Sequence, residues 1–247
     1  MVFIIFILGI IFGSFANVLI YRIPKKISIV FPNSFCPFCF SSIKWYDNIP
    51  ILSYFLLKGR CRSCNQKISL TYPLVEFLCG VVAVFCYLKF GIFEMWVFFN
   101  FLFVLLVISF IDINTTEIPD ELSYYLIFSG ILLSIFNSLL GKDLFSKIVN
   151  SLIGGLVGFF VSYLIAFFGE KIFKKPSLGG GDIKLFAAVG AWLGWGSLFK
   201  IIFLSSFFAL VYIFLVSLYK KVKMWGKYIQ FAPFISFSCL IYIFFIT

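Results

Sequence analysis

Long apolar stretches alternate with short polar ones along almost the whole chain. The apolar stretches fall at about residues 1–21, 73–92, 95–111, 122–140, 148–170, 183–199, 201–219 and 228–246. Most are near the ~20 residues that an α-helix needs to cross the ~30 Å hydrocarbon layer of a bilayer. The pattern therefore predicts an all-α polytopic membrane protein with about eight transmembrane helices.

The composition supports this fold class and narrows the chemistry. Of 247 residues, 62% are hydrophobic, 37 are Phe and only 12% are charged, which is more apolar surface than a water-soluble domain can bury. The chain has no His, which excludes His-based catalytic triads and His metal ligands. Acid–base chemistry is left mainly to ten Asp and Glu residues.

Basic residues are distributed unevenly between the two sides of the predicted bundle. Sixteen of the 20 Lys and Arg lie in, or within two positions of, the loops 22–72, 112–121, 171–182 and 220–227. The other four are Lys89, Lys142, Lys147 and Lys200. Loops rich in Lys and Arg stay in the cytoplasm, so we expect both chain ends outside. The net charge of +10 then reports orientation and contact with anionic lipid rather than binding of nucleic acid.

The first apolar stretch predicts a retained helix rather than a cleaved signal peptide. No basic residues precede it within the chain, no A-x-A-like cleavage site follows it, and its basic residues come afterwards, from Arg22 onward.

The polar loop at about 22–72 carries four cysteines in two C-x-x-C pairs. They are Cys36 with Cys39, and Cys61 with Cys64, separated by 21 residues. Two such knuckles complete a tetrahedral four-thiolate zinc site. The alternative, two disulfides, needs an oxidising compartment, whereas the charge distribution places this loop in the reducing cytoplasm. We therefore predict a structural zinc ion in a small zinc-ribbon-like loop.

Two carboxylates stand at the ends of apolar stretches on the same predicted membrane face. Asp112 follows the apolar run 104–111, and Asp182 follows Gly179, Gly180 and Gly181 in the pattern G-x-G-D. Taken singly, Asp112 can be an interfacial helix end and Asp182 a helix N-cap. Carboxylates are costly in a membrane, so the pair is a functional-site candidate.

An aspartate pair can hydrolyse peptides by sharing one proton. The ionised carboxylate removes a proton from water, and the protonated one polarises the scissile carbonyl. Glycines before Asp182 remove side chains and permit unusual dihedral angles, so we expect an extended peptide to lie close to them. Asp120 and Glu121 follow Pro119 and are predicted to be first-turn acids of a helix.

A set of short motifs in a fixed order resembles bacterial type IV prepilin peptidases, the bifunctional leader peptidase/N-methyltransferases. The motifs are GSFANV (13–18), YRIP (21–24), the four cysteines, WYDNIP (45–50), SLTYPLVE (69–76), ID (111–112), IPD (118–120), GGGDIKL (179–185) and GAWLGW (190–195).

The resemblance implies a bifunctional enzyme of the bacterial cytoplasmic (inner) membrane. It implies cleavage of the leader peptide of prepilins and pseudopilins after a Gly on the cytoplasmic side. Methylation of the new N-terminal residue with S-adenosylmethionine would follow. Asp112 and Asp182 match the catalytic aspartates. The matching active-site loop comprises Gly179, Gly180, Gly181 and Lys184.

The same resemblance implies a division of labour along the chain. Region 1–94, with its four-cysteine loop, is linked to methyl transfer, and Gly59 matches a glycine tied to that step. Region 95–247 is implied to be a six-helix membrane aspartic peptidase domain. Neither the motifs nor the composition specify the pilus system that is served or the oligomeric state.

Three other functions remain compatible with parts of the sequence. Presenilin-like intramembrane proteases share G-x-G-D but carry a Pro-Ala-Leu motif that this chain lacks. A transporter or channel can also use intramembrane carboxylates, and a non-enzymatic scaffold can carry a zinc ribbon. The glycines before Asp182 and the separate cysteine loop favour the peptidase over the last two, and cleavage of a prepilin-like peptide discriminates among them.

Overall fold

The computed structural model describes residues 1–220 and 229–246, and these are mostly helical. The α-helices are α1 Val2–Arg22, α2 Leu52–Leu56, α3 Thr71–Thr115, α4 Asp120–Leu133, α5 Leu144–Phe173, α6 Gly180–Leu193, α7 Trp195–Lys220 and α8 Ala232–Ile241. Within these described ranges the only β-pairing is two isolated antiparallel bridges, Phe35 with Ser42 and Arg60 with Lys67. The predicted all-α class is confirmed.

Among the residues that the structure describes, four helices are long and apolar enough to cross a membrane: Val2–Arg22, Thr71–Thr115, Leu144–Phe173 and Trp195–Tyr219. The second of these contains two of the predicted spans, joined at Gly91. Gly91 has φ +73° and ψ −174°, a conformation that glycine reaches far more easily than residues with a side chain. The apolar stretches 73–92 and 95–111 are therefore separated by a backbone kink rather than by a loop.

Much of the surface of the long helices is apolar and exposed. Helix α5 contains an apolar stretch of 18 residues of which only 17% is buried within the protein, and the same is true of α7. Leu156 and Phe160 on α5 and Phe203 on α7 are each more than half exposed. Apolar faces of this extent belong in lipid, so the chain is an integral membrane protein.

The remaining helices are shorter than the predicted spans. Helices α4 and α6 have 14 residues each, about 21 Å at ~1.5 Å per residue, which is less than the hydrocarbon thickness. Helix α4 gives way to 3₁₀ turns that end at Leu140, and Gly194, with φ +77°, separates α6 from α7. The predicted helices 122–140 and 183–199 therefore extend past the observed ends of α4 and α6, at Leu133 and Leu193. The count of eight spans stays a prediction.

Two other predictions concern the ends of helices. Helix α4 begins at Asp120 directly after Pro119, as predicted. The predicted cytoplasmic loop at 220–227, with its lysines, lies outside the described residues apart from the backbone of Lys220.

The chain divides into two compact units, Met1–Phe99 and Asn100–Thr247. In the first unit, α1 packs closely against the first half of α3 through glycines. A β-carbon at Gly13 would lie 2.5 Å from the Cα of Glu76, and one at Gly9 would lie 2.7 Å from the carbonyl oxygen of Cys79. These two positions therefore require the absence of a side chain.

In the second unit, α6 is held between α4 and α5. A β-carbon at Gly154 of α5 would overlap the carbonyl oxygen of Gly190, so the two backbones are in direct contact. The buried Trp192 donates its indole N–H to the carbonyl of Leu126 at 2.8 Å and stacks on Phe101. This packing fixes the position of α6, and with it the position of Asp182 in the first turn of that helix.

Candidate active site and metal centre

Asp112 lies near the C-terminal end of α3 and is only 4% exposed. Its Oδ2 accepts a hydrogen bond from the backbone N–H of Ala232 at 3.1 Å, at the first residue of α8. The positive end of that helix dipole therefore points at the carboxylate and stabilises its negative charge. A hydrogen bond of 2.7 Å between the hydroxyls of Ser109 and Ser236 ties the same two helices together. Sequence reasoning did not identify α8 as part of this site.

Asp182 occupies the first turn of α6, three residues after its N-cap, Gly179. Its Oδ2 accepts a hydrogen bond from the N–H of Gly179 at 3.3 Å. Its Oδ1 is buried and makes no hydrogen bond within the described part of the chain. The N-cap itself is Gly179, so the alternative prediction that Asp182 is the N-cap is wrong. A buried acceptor without a partner costs about 1–3 kcal/mol, so such an atom calls for a functional explanation.

The structure brings the two carboxylates close enough for the charge of Asp112 to act on Asp182. Asp112 comes from the end of α3 and Asp182 from the start of α6, so neither chain segment alone forms the pair. Two adjacent carboxylates cannot both ionise easily, and one of them retains a proton. One base and one acid in a shared site are the groups that peptide hydrolysis needs.

The three glycines before Asp182 differ in their surroundings. A β-carbon at Gly181 would lie 2.8 Å from the Cβ of Ile118, whereas one at Gly180 would meet nothing within 4 Å. Gly179 has φ −69°, and the other two glycines belong to α6. These glycines therefore do not adopt the unusual dihedral angles that they permit. Gly181 is required by close packing against Ile118, and Gly180 leaves open space.

Lys184 connects α6 to the start of α4. Its Nζ lies 2.6 Å from Oδ1 of Asp120 and 5.4 Å from the ring centre of Tyr124. This ion pair is exposed at the Asp120 side, so it contributes at most about 1 kcal/mol to stability.

The four cysteines of the polar loop form one cluster. Their Sγ atoms all lie within 4.8 Å of one another, and the Sγ atoms of Cys36 and Cys64 are 3.9 Å apart. Zn–S bonds of ~2.3 Å in a tetrahedron place sulfur atoms roughly 3.8 Å apart. None of the four forms a disulfide. The donor set and its spacing therefore fit a zinc ion with a closed coordination shell.

The two knuckles have the same backbone geometry. In each knuckle, the backbone N–H of the first cysteine donates to the carbonyl of the residue five positions later. The carbonyl of the same cysteine accepts a hydrogen bond from the N–H of the residue four positions later. The residue four positions on has φ +57° in both knuckles. The residues concerned are Cys36, Phe40 and Ser41 in one knuckle, and Cys61, Asn65 and Gln66 in the other. Together with the two antiparallel bridges, this repeated turn is typical of a zinc ribbon.

Electrostatics within the cluster also favour a cation. Hydrogen bonds from Ser41 lower the pKa of the Cys39 thiol to about 6, and backbone hydrogen bonds from Cys64 and Ser63 lower the pKa of Cys61. A hydrogen bond from the backbone of Gln66 lowers the pKa of the Cys64 thiol, but burial and the neighbouring thiols raise that pKa to about 12. Four thiolates in so small a space therefore need a positive ion among them.

The second knuckle is supported from outside the cluster. Arg62 makes a bidentate ion pair with Asp47, at 2.7 and 2.8 Å, and its hydrogen bonds lower the pKa of that carboxyl. Gly59 has φ +66°, and a β-carbon there would lie 2.8 Å from the hydroxyl oxygen of Tyr54. The sequence singled out Gly59 only by resemblance, and the structure gives a steric reason for glycine at this position.

Comparison with known proteins agrees with the motif resemblance. Residues 7–90 match the bacterial peptidase A24 N-terminal domain, and residues 99–214 match the type IV leader peptidase family. No solved structure matches the chain significantly.

Several curated relatives are named prepilin leader peptidase/N-methyltransferase. The protein from Klebsiella pneumoniae is 37% identical over 209 residues, which cover 82% of this chain and 89% of the relative. The protein from Neisseria gonorrhoeae is 31% identical over 259 residues, covering 94% of this chain and 86% of the relative. The Myxococcus xanthus protein is 37% identical over 204 residues, 82% of this chain, but the match spans only 59% of that relative's length. The chain therefore belongs to the type IV leader peptidase family.

Proposed function

We propose that this protein removes the leader peptide of type IV prepilins and pseudopilins and then N-methylates the new N-terminal residue. The observation that carries the peptidase activity is the pair of carboxylates, Asp112 and Asp182, contributed by two different helices of the second unit. The names of the relatives support the combination of the two activities in one chain.

The different surroundings of the two aspartates assign their roles in hydrolysis. Asp112 accepts the Ala232 N–H and faces the N-terminal end of α8, so it is the ionised member and takes a proton from the attacking water. Asp182 has a buried Oδ1 without a protein partner, so it holds the shared proton and donates it to the scissile carbonyl oxygen. The hydroxide part of the water adds to the carbonyl carbon and gives a gem-diol. As the C–N bond breaks, Asp112 gives the proton it took from water to the departing amine, and one hydroxyl of the gem-diol returns a proton to Asp182.

The location follows from the charge distribution and the apolar helices. Sixteen of 20 basic residues lie in or beside the four loops assigned to the cytoplasm. This bias supports a position of the aspartate pair at the cytoplasmic face of the bacterial inner membrane. A substrate with a basic leader and an apolar segment can keep the apolar part in the bilayer while the leader reaches this face.

The two units divide the work between them. The region 95–247, which includes the second unit, carries the peptidase, and the region 1–94 supports methyl transfer. Cys36, Cys39, Cys61 and Cys64 would hold a structural zinc ion that stabilises the polar loop. S-Adenosylmethionine, when bound, supplies a methyl group on a positively charged sulfur. Gly59 belongs to the same region and is proposed to matter for this second activity.

Mass spectrometry of a prepilin peptide incubated with the purified protein tests both activities together. Addition of S-adenosylmethionine should give a product that has lost the leader and gained one methyl group. Asp182→Asn should give neither change, because methylation needs the new amine. A peptide that the wild-type protein leaves intact would contradict the proposal and favour a transporter or a scaffold.

A further inference from the structure

The first unit contains a cavity of about 450 Å³ that the peptidase reaction does not use. It lies among α1, the two cysteine knuckles and the start of α3, and all of its lining residues belong to 14–76. Its volume is within the ~300–1,000 Å³ range typical of small-molecule sites. Cys36 and Cys61 are part of the wall, so a zinc ion in the knuckles would also fix the shape of this cavity.

Glu76 provides a buried carboxylate in the wall of this cavity. It is 8% exposed, and its Oε2 accepts the backbone N–H of Ile51 at 2.6 Å. The side chains of Ser14 and Asn17 are also within hydrogen-bonding reach of it. These hydrogen bonds offset part of the cost of burying the carboxylate, and a cation in the cavity would offset more of it.

The backbone next to Glu76 is strained. Ile51 has φ +60° and ψ −52°, a conformation that is a clear outlier for a β-branched residue. Such strain costs of order 1–3 kcal/mol and collects at binding and catalytic sites. Here the hydrogen bond from Ile51 to Glu76 holds the strained segment, which places the start of α2 beside the carboxylate.

The remaining lining residues match a ligand that carries both a cation and a carboxylate. Tyr54 and Tyr72 supply aromatic surfaces, which attract cations such as sulfonium and ammonium groups. The ring of Tyr21 also lines the cavity but already carries the Nζ of Lys25 at 3.7 Å from its centre. Lys44 and Lys67 also line the cavity and can bind a carboxylate. The other two basic residues of the wall are already bonded, Arg22 to the carbonyls of Ser28, Pro32 and Asn33, and Arg62 to Asp47.

We propose that this cavity is the methyl-transfer site, where Glu76 binds the ammonium group of the new N-terminus beside a sulfonium methyl donor. This inference rests on the proposed function. It adds the cavity in which the methyl group is transferred and the residue, Glu76, that accepts the proton of the ammonium group. The ammonium gives one proton to Glu76, and the freed lone pair of the amine forms the N–C bond to the methyl group. The donor's S–C bond breaks with its electron pair left on sulfur as a neutral thioether.

Photolabelling of the wild-type holoenzyme tests the location without any mutation. Ultraviolet irradiation with methyl-labelled S-adenosylmethionine, followed by proteolysis, should place the label on peptides from 14–76. An excess of S-adenosylhomocysteine should remove it. Label on peptides from 100–246, label that is not competed, or no labelling of 14–76 would overturn the proposal.

A matched pair of variants tests the role of Glu76. Glu76→Gln keeps an acceptor for the Ile51 N–H but cannot take a proton, so methylation should fall by about 100-fold or more. Leader cleavage and zinc content should stay near the wild-type level. Glu94→Gln, the same change in α3 but outside the cavity wall, should leave methylation unaltered.

The outcomes separate this inference from the proposed function. A wild-type protein that neither cleaves nor methylates a prepilin peptide contradicts the function itself. A wild-type protein with both activities, together with a Glu76→Gln variant that methylates at the wild-type rate, contradicts only the assignment of Glu76. A Glu76→Gln variant with little zinc leaves the photolabelling of the wild-type protein to decide.

Discussion

Asp112 and Asp182 are the same residue type in surroundings that favour opposite protonation states. Asp112 is held by an N–H at the start of α8, whereas one oxygen of Asp182 is buried without a protein donor. An anion is stabilised by the first environment and penalised by the second. In the proposed mechanism, a single pair of aspartates thus supplies both the base and the acid in a chain that has no His.

Neutral substitutions at either aspartate should stop leader cleavage. Asp112→Asn and Asp182→Asn should each lower the rate by about three orders of magnitude or more, and the double variant should be little worse, because residues that act as a unit are not additive. The measurement is cleavage of a prepilin peptide by purified protein.

The control for these variants is Asp120→Asn, which removes the exposed ion pair with Lys184 and one negative charge in the first turn of α4. It should cost about 0.2–1 kcal/mol of stability and leave cleavage intact. Near wild-type cleavage by Asp182→Asn would rule out the aspartic mechanism.

At the scale of elements, we expect the cysteine loop to depend on a metal in a way that the helices do not. The loop around the knuckles contains only short helical turns, and its two β-bridges are isolated. A segment with so small a core is usually stabilised by a metal or disulfides. The second unit is held instead by helix packing such as that of Gly154 on Gly190.

Loss of zinc should therefore separate the two activities. Purified protein should contain about one zinc per chain, since four cysteines complete one shell. Cys36→Ser or Cys64→Ser should lose the metal and abolish methylation, while leader cleavage falls much less. Metal analysis and mass spectrometry of the product measure the two effects.

Cys86→Ala is the matched control for the zinc prediction, because Cys86 is buried in α3 away from the cluster. It should keep its zinc and both activities. The zinc assignment is wrong if fresh native protein carries two disulfides or four unmetallated thiols in this loop.

The contact between α5 and α6 should tolerate no side chain at one glycine and accept one at its neighbour. Gly154→Ala should cost about 1–3 kcal/mol, because its β-carbon would overlap the Gly190 carbonyl and displace the helix that carries Asp182. Gly155→Ala should be neutral or slightly stabilising, since the nearest atom would lie at 3.5 Å. Thermal unfolding in detergent compares the two, and equal stability of both variants would contradict this packing argument.

At the scale of the whole molecule, membrane orientation is set by charge. The long helices expose apolar faces that contain little information about direction, whereas sixteen basic residues gather in or beside four loops. The positive-inside rule then predicts that the aspartate pair lies at the cytoplasmic face.

Reporter fusions can test this orientation. Fusions after Ser41, in the cysteine loop, and after Lys142, between α4 and α5, should report opposite sides of the membrane. A third fusion after Lys175 should agree with Ser41. The same side for Ser41 and Lys142 would overturn the orientation and the cytoplasmic location of the site.

The sequence by itself determined the fold class, the family and the candidate residues. Apolar stretches of membrane length, C-x-x-C pairs and carboxylates at span ends are all local in the chain, so they can be recognised without knowledge of packing. The start of α4 after Pro119 belongs to the same group, because proline restricts its own residue and the one before it.

Only the tertiary structure decided what surrounds those residues. The donor to Asp112 is an N–H of α8, 120 positions along the chain. The clash that excludes a side chain at Gly181 comes from Ile118, and the cavity at Glu76 needs α1, both knuckles and α3 together. The helix end at Gly194 also escaped the hydropathy pattern, because apolar residues continue through it. Contacts between distant segments depend on how helices pack, and that information is not contained in any one stretch of sequence.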